Sequence, residues 1–289
     1  MSLRAEPLDA TIGARIHGFD PAAPDESRIW DEWRAVFAEH RLLVVALPDL
    51  TDEEHLRVVG ALGPIATEGI DEPRAVGWVS NVRADGALAG TAASWHCDYF
   101  FFPHPYEAIS LYAVELPTRG TETWFVDGQA AADDLPADLR ARVEGRDARH
   151  AVDVTTPERE AVVRVRKGRL DESYPHALRP VLWPHRASGR PILAVTEQQT
   201  DAIVGLDPDD STELIEELFA HLYRDDHVYV HRWSPGELVV WDNHALQHSR
   251  PEVGLEEARS LRRVCVGERQ DLSVFAYGYA GRPTEPEAL

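Results

Sequence analysis

The chain has 289 residues but only two cysteines, Cys97 and Cys265. Two thiols far apart in the sequence are too few for a disulfide framework or a thiolate metal site. The start of the chain has no apolar signal-like segment, and no apolar run approaches the roughly 18 residues of a membrane-spanning helix. These absences predict a cytoplasmic protein with no membrane role.

Positive charge is also scarce, with 29 basic against 50 acidic residues and a net charge of −21. A field of this sign repels phosphate backbones and anionic lipids, so a nucleic-acid partner is not expected. Lys167 is the only lysine. A pocket for an anionic small molecule must therefore use arginine, which suits bidentate carboxylate recognition. The sequence leaves both a monomer and a homo-oligomer open.

Short apolar strands broken by proline and glycine dominate the chain from about residue 75 onward. Amphipathic patterns predict helices over residues 27–40 and 211–224, and a third that begins with a Thr51/Glu54 capping box and ends at Gly60 or Gly63. This mixture predicts a mainly β protein with flanking helices (α+β) and a jelly-roll (double-stranded β-helix) or barrel core. We expect a single domain over residues 1–289, with an insertion around 128–180 that serves as a lid.

The stretch SWHCDYFFF places a histidine and an aspartate one residue apart, at His96 and Asp98. Residues i and i+2 of a strand point to the same side, whereas Cys97 would face away. An imidazole and a carboxylate side by side are two-thirds of a metal site, so a third ligand is needed.

The segment VVWDNHALQHSR offers two candidates for that ligand, His244 and His248. Two histidines and one carboxylate form the facial triad of non-haem Fe(II) oxygenases. Such a set binds the ion and leaves one face open for an organic chelate and O2. Residue type alone does not choose between His244 and His248, so both remain open here.

Further residues follow in a recognisable order. Thr123 lies 25 residues after Asp98, and Arg259 lies 11 residues after His248. Together with His96-x-Asp98, this pattern resembles the taurine dioxygenase family of Fe(II)/2-oxoglutarate-dependent dioxygenases. The resemblance extends over most of the chain, including YVHRWSPGELVVWDN.

The resemblance implies a role for each of these residues. His96, Asp98 and His248 would bind Fe(II), while Arg259 and Thr123 would hold the distal carboxylate of the cosubstrate 2-oxoglutarate. O2 would then oxidise a C–H bond of a small-molecule substrate, with release of succinate and CO2. No catalytic side chain beyond the metal ligands is implied. Related halogenases lack the carboxylate ligand, so Asp98 indicates an oxygenase.

The substrate is expected to be a small organic acid or an amino-acid derivative, and thus anionic. Strand alternation places Arg263 on the same face as Arg259, and Arg262 on the opposite face. Family members with an arginine at this position can use it for an acid group, so the resemblance implies Arg263 as the partner of the substrate acid. Tyr99, next to the aspartate ligand, is the candidate for a wall of the substrate pocket. Residues 63–78 lack the histidine of taurine-specific members, which argues against taurine. A metal-dependent hydrolase or a non-catalytic metal- or ligand-binding protein on the same barrel is the alternative, although neither needs Thr123 and Arg259.

Overall fold

The computed structural model describes residues 3–68, 73–88, 90, 92–152 and 175–270. Its strands are β1 (Arg4–Pro7), β2 (Ala14–His17), β3 (Leu42–Ala46), β4 (Gly77–Ser80), β5 (Ala87–Leu88), β6 (Ala93–His96), β7 (Ala108–Glu115), β8 (Glu122–Asp127), β9 (Asp147–Ala151), β10 (His176–Pro180), β11 (Leu182–Pro184), β12 (Pro191–Leu193), β13 (Thr200–Ile203), β14 (Val228–Arg232), β15 (Glu237–Asp242), β16 (Leu246–Arg250) and β17 (Ser260–Val266). Its α-helices are α1 (Ile29–His40), α2 (Asp52–Gly60), α3 (Gly128–Asp133), α4 (Ala137–Val143) and α5 (Pro208–Leu222). A 3-10 helix spans Asp225–His227.

Two sheets form the core of the molecule. The larger has the strand order β1-β2-β3-β15-β7-β17-β4-β5, and the smaller has the order β14-β8-β16-β6. One buried cluster joins side chains of both sheets, including Phe125 and Leu246 from the smaller sheet and Val239 and Trp241 from the larger. The core therefore lies between two mainly antiparallel sheets, and the predicted jelly-roll fold is confirmed.

The larger sheet is apolar on both faces, as β15 illustrates. Val239 and Trp241 point into the core between the sheets, whereas Leu238 and Val240 join a second cluster on the outer face. Successive side chains of a strand point to opposite faces, and here α1 and α2 cover the outer one. The sequence LVVW is continuously apolar for this reason.

Helices α3, α4 and α5 form a flank with the sheet β10-β9-β13. Leu139 and Leu218 are among its buried residues. The predicted insertion at 128–180 includes α3, α4, β9 and β10, while its residues 153–174 lie outside the described part of the chain. Its role as a lid stays a prediction, as does the single-domain division of the chain.

Helix α5 begins about one turn before the predicted start at Ser211. The Asp207 carboxylate accepts a hydrogen bond from the Asp209 amide at 2.9 Å, and Pro208 occupies the first turn. An aspartate cap followed by proline is a strong helix start, and the apolar periodicity that begins at Ser211 conceals it.

The predicted capping box at α2 is present. The Thr51 hydroxyl accepts from the Glu54 amide at 3.2 Å, and the Glu54 carboxylate accepts from the Thr51 amide at 2.9 Å. We expect Thr51→Ala to lower the free energy of unfolding by about 1 kcal/mol, as measured by urea denaturation. Thr212→Ala within α5 is the control, since that side chain caps no helix start. Equal losses in both variants would contradict a capping role.

Candidate metal centre

All seven residues that the sequence assigns to iron, 2-oxoglutarate or substrate line one cavity of about 980 Å³, measured to its open mouth. They are His96, Asp98, Tyr99, Thr123, His248, Arg259 and Arg263. Most of its wall is apolar, as is usual for a small-molecule site. The two sheets therefore bring together residues up to 167 positions apart in the sequence.

Three donor atoms converge on one wall of this cavity. The Asp98 Oδ1 atom lies 3.3 Å from His96 Nε2 and 3.8 Å from His248 Nε2. All three ligand atoms lie within 4.8 Å of one another. The pairing of β16 with β6 sets His248 directly opposite His96. The arrangement is a two-histidine, one-carboxylate set of the kind that holds a non-haem metal ion.

The expectation that His96 and Asp98 share a strand face is wrong in one respect. Strand β6 ends at His96, and Asp98 begins a turn. The Asn243 side chain holds this turn, because it accepts from the Asp98 amide at 2.9 Å and donates to the Asp98 carbonyl at 3.1 Å. Asn243 also donates to the Tyr106 carbonyl at 2.9 Å. A distant side chain, rather than strand periodicity, therefore aims the carboxylate.

The protonation states suit a divalent cation. The Nδ1 atom of His96 donates to the Ser94 carbonyl at 2.7 Å, which leaves Nε2 with a lone pair towards the centre. Burial, aided by the neighbouring His96, lowers the pKa of His248 to about 3, so that ring is neutral. Burial alone would raise the pKa of Asp98, but Arg263 and the two imidazoles bring it well below its usual range. A neutral His248 ring, an ionised Asp98 and the Nε2 atom of His96 form a ligand set that fits Fe(II).

His244, the alternative third ligand, lies away from this cluster. Its Nε2 atom faces the Pro105 carbonyl at 3.4 Å, and its ring packs on Trp183 with centroids 4.9 Å apart. His244 lies in the turn between β15 and β16, whereas His248 lies on β16 and faces the cavity.

The guanidinium of Arg259 is buried in the same cavity. Only 1% of the residue is exposed, and none of its three guanidinium nitrogens has a hydrogen-bond partner among the described residues. Burial, with the nearby Arg250, lowers the pKa of Arg259 to about 9. A buried cation without a counter-charge lowers the stability of the fold, so an anion that binds here would stabilise the site.

The Thr123 hydroxyl faces the same cavity. Its oxygen accepts a hydrogen bond from the Trp233 indole N–H at 2.9 Å. Because that bond takes up a lone pair, the hydroxyl proton remains for another acceptor. Arg259 and Thr123 together offer charge and a hydroxyl donor to one carboxylate.

Arg263 is paired with two carboxylates. One of its terminal nitrogens contacts both carboxylate oxygens of Glu68, and the other contacts Asp98 Oδ2. On the opposite face of β17, Arg262 donates to Asp52 and to the Leu50 carbonyl. The alternation of arginines along this strand is thus as the sequence predicts, but the partner Glu68 is not.

Tyr99 follows the aspartate with a φ of +58°, in the left-handed region that non-glycine residues rarely adopt. Its buried side chain lines the cavity, and its hydroxyl donates to Glu68 Oε1 at 3.4 Å. Backbone strain of this kind persists where the surroundings hold the residue, and it is common at functional sites.

Four residues of this region were missed by sequence reasoning: Asn243, Trp233, Glu68 and Arg250. Asn243 and Trp233 stand in family-like segments, WDN and HRW, so their positions gave a signal. Glu68 is one of many acidic residues and gave none. Arg250 lies two residues after His248 and therefore shares its face of β16, a signal that strand alternation could have supplied.

Comparison with known proteins identifies the family. The profile of the "Taurine catabolism dioxygenase TauD, TfdA family" matches residues 4–265. A solved taurine dioxygenase from Burkholderia xenovorans superposes with a TM-score of 0.76 at 26% identity, covering 92% of this chain and 91% of that one.

Two curated relatives cover most of the chain. A (S)-phenoxypropionate/alpha-ketoglutarate-dioxygenase of Sphingobium herbicidovorans is 31% identical over 88% of this chain and 91% of its own length. Pentalenolactone F synthase of Streptomyces arenae is 30% identical over 88% of this chain and 92% of its own. Among the described residues, no helix is long and apolar enough to cross a membrane.

A match over nearly the whole chain decides between the classes that the sequence left open. A hydrolase or a non-catalytic binding protein is no longer needed as an explanation. The chain belongs to the TauD, TfdA family and is a non-haem iron dioxygenase that uses Fe(II), 2-oxoglutarate and O2 to oxidise a small molecule.

Proposed function

We propose that His96, Asp98 and His248 hold the iron, and that Arg259 and Thr123 bind the distal carboxylate of 2-oxoglutarate. The observation that carries this proposal is the buried Arg259 guanidinium, which lacks a partner among the described residues and shares a cavity with the three-donor cluster. When bound, Fe(II) and 2-oxoglutarate would activate O2 for the oxidation of the substrate, with release of succinate and CO2.

The side chains of this chain then have distinct tasks. Arg259 neutralises one carboxylate, and Thr123, oriented by the Trp233 indole, donates its hydroxyl proton to the same group. Arg263 binds Asp98 Oδ2, which leaves Oδ1 facing the two imidazoles. Apolar residues of the cavity wall exclude water from the reacting groups.

The substrate we propose is a small, anionic organic acid or amino-acid derivative. Support comes from the relative that acts on phenoxypropionate, an organic acid. In this chain, Arg263 stands next to Asp98 and would take the acid group, while Tyr99 and apolar side chains such as Val79, Leu88 and Leu111 would hold the rest. Taurine is not proposed, because residues 63–68 and 73–78 carry no histidine.

The test begins with an anaerobic titration of the protein with Fe(II) and 2-oxoglutarate, watched for the weak visible band of the chelate. Aryloxyalkanoic acids, α-amino acids and taurine are then screened for succinate release above the background without substrate. We expect the band, and stimulation by one of the first two classes. Iron binding without a band would contradict the roles of Arg259 and Thr123. Stimulation by taurine alone would contradict the substrate class.

Glu68 bears directly on this substrate class, since its carboxylate occupies the guanidinium that the substrate acid would need. Glu68→Gln removes this competing charge. We expect the KM of the best acid from the screen to fall about tenfold, equivalent to about 1.4 kcal/mol. Glu53→Gln, the same change on the exposed face of α2, is the control. A higher KM in Glu68→Gln alone would show that Glu68 orients Arg263 rather than competing with the substrate.

The cytoplasmic location and the choice between monomer and homo-oligomer stay predictions from the sequence.

A further inference from the structure

A second group of metal-ligand residues lies outside the cavity. Asp134 directly follows α3, His221 lies in the last turn of α5, and His227 ends the 3-10 helix. One ligand atom of each lies within 4.8 Å of the others. Both histidines are buried, whereas the carboxylate is exposed and accessible from solvent. The dioxygenase reaction uses none of these three residues.

The distances within this group are those of hydrogen bonds, and they also suit donor atoms that share an ion. His221 Nε2 lies 3.1 Å from Asp134 Oδ1, and His227 Nε2 lies 3.2 Å from Asp134 Oδ2. Two donors bound to one zinc ion at about 2.0–2.1 Å are themselves about 3 to 3.4 Å apart. Little movement is therefore needed to bring these atoms onto one ion.

The hydrogen bonds of His227 give a second, independent indication. Its Nδ1 atom lies 3.1 Å from the Leu222 carbonyl, which can only accept, so Nδ1 carries the proton. In a neutral ring, Nε2 then presents a lone pair to a carboxylate oxygen. Two lone pairs at this distance repel each other unless positive charge lies between them. That charge is either a second ring proton or a metal ion.

Two neighbouring groups affect how this cluster could bind an ion, the Ala131 carbonyl and the Arg224 guanidinium. The Ala131 carbonyl oxygen lies 2.8 Å from His221 Nε2 and can serve as a fourth donor once an ion replaces the proton there. The competing cation is Arg224, whose NH1 lies 3.6 Å from Asp134 Oδ2. Arg224 contacts Asp226 more closely, at 2.5 Å, and its side chain is about half exposed, so solvent screens its charge.

We propose that Asp134, His221 and His227 bind a divalent transition-metal ion, with Zn(II) as the best match, that is distinct from the iron of the cavity. Imidazole and carboxylate ligands suit Zn(II). The ion joins the end of α5 to the end of α3 and to the segment that leads into β14. It stabilises the helical flank and takes no part in the oxidation.

Metal content of the untagged, full-length protein tests the proposal. After removal of metals and dialysis against Zn(II), we expect about two ions per chain in the wild type and about one in His96→Ala/His248→Ala. Asp134→Asn should bind one ion fewer than its parent in both backgrounds. Asp138→Asn, the same change at an exposed position on α4, is the control and should keep the parent's content.

Stability gives a second measurement. Zn(II) in about hundredfold excess over its dissociation constant should raise the melting temperature of His96→Ala/His248→Ala by about 5 °C or more, and Asp134→Asn should abolish this shift. Because Asp134 is exposed, its asparagine variant tests the site without emptying a buried position. One ion in the wild type, with none lost in Asp134→Asn, would overturn the proposal and assign the positive charge to a protonated His227.

Discussion

His248→Ala is expected to lose Fe(II) binding and therefore most of its activity. Loss of a residue that only supports a metal ligand lowers activity roughly 10- to 100-fold, and we expect a larger decrease here. Its Nε2 atom lies 3.8 Å from Asp98 Oδ1, and burial keeps the ring neutral and able to donate a lone pair. Alanine leaves one imidazole and one carboxylate, which hold Fe(II) poorly. The measurement is iron content after anaerobic dialysis, together with succinate formation from 2-oxoglutarate.

His244→Ala is the matched control, because the chain offers a second histidine four residues away, in the turn that precedes β16. His244 contacts the Pro105 carbonyl and the Trp183 ring rather than the three-donor cluster. We expect this variant to keep its iron and the visible band with 2-oxoglutarate. Iron lost in His244→Ala and kept in His248→Ala would reverse the assignment.

Arg259→Met is expected to raise the KM for 2-oxoglutarate by at least about thirtyfold, since removal of one partner of a buried charge pair costs at least about 2 kcal/mol. The increase in KM should be large for 2-oxoglutarate and smaller for pyruvate. Pyruvate is a 2-oxo acid without a distal carboxylate, so it makes no contact with Arg259 that the substitution could remove. Initial rates of CO2 release at varied concentrations of each 2-oxo acid give the comparison.

The same substitution has an unusual expected effect on stability. Without 2-oxoglutarate, Arg259 is a buried guanidinium with no hydrogen-bond partner among the described residues, and burial lowers its pKa to about 9. Replacing it by an apolar side chain removes an uncompensated charge. We therefore expect Arg259→Met to unfold at a higher urea concentration than the wild type when 2-oxoglutarate is absent.

Arg262→Met is the control on the same strand. Its guanidinium donates to Asp52 and to the Leu50 and Thr51 carbonyls on the outer face. This variant should lose stability and leave the KM for 2-oxoglutarate unchanged. The opposite pattern, with Arg259→Met destabilised and its KM unaltered, would make Arg259 a structural residue.

Much of the fold follows from local patterns in the sequence. Continuous apolar strands predict a sheet that is covered on both faces, and Leu238 to Trp241 fill clusters on both sides. The capping box at Thr51 predicts the start of α2, which is observed at Asp52. These features depend on residues a few positions apart, where backbone geometry alone fixes which side chains meet.

The chemistry of the candidate centre could also be predicted, because its parts are recognisable by residue type and order. Strand alternation separates Arg259 and Arg263 from Arg262, and the described side chains divide in this way. Alternation fails at Asp98, since β6 ends at His96 and the following turn depends on a hydrogen bond to Asn243, 145 positions away.

Only the tertiary structure placed His248, and not His244, beside His96 and Asp98, paired Arg263 with Glu68 across 195 positions, and brought Asp134 to His221 and His227. The sequence by itself determined the mainly β character of the chain, the start of α2 and the set of metal-binding residue types. The physical reason is the separation in sequence between the residues that interact. Periodicity and capping are properties of neighbouring residues, whereas a contact between distant side chains depends on how whole sheets and helices pack, and the same local pattern is compatible with many such contacts.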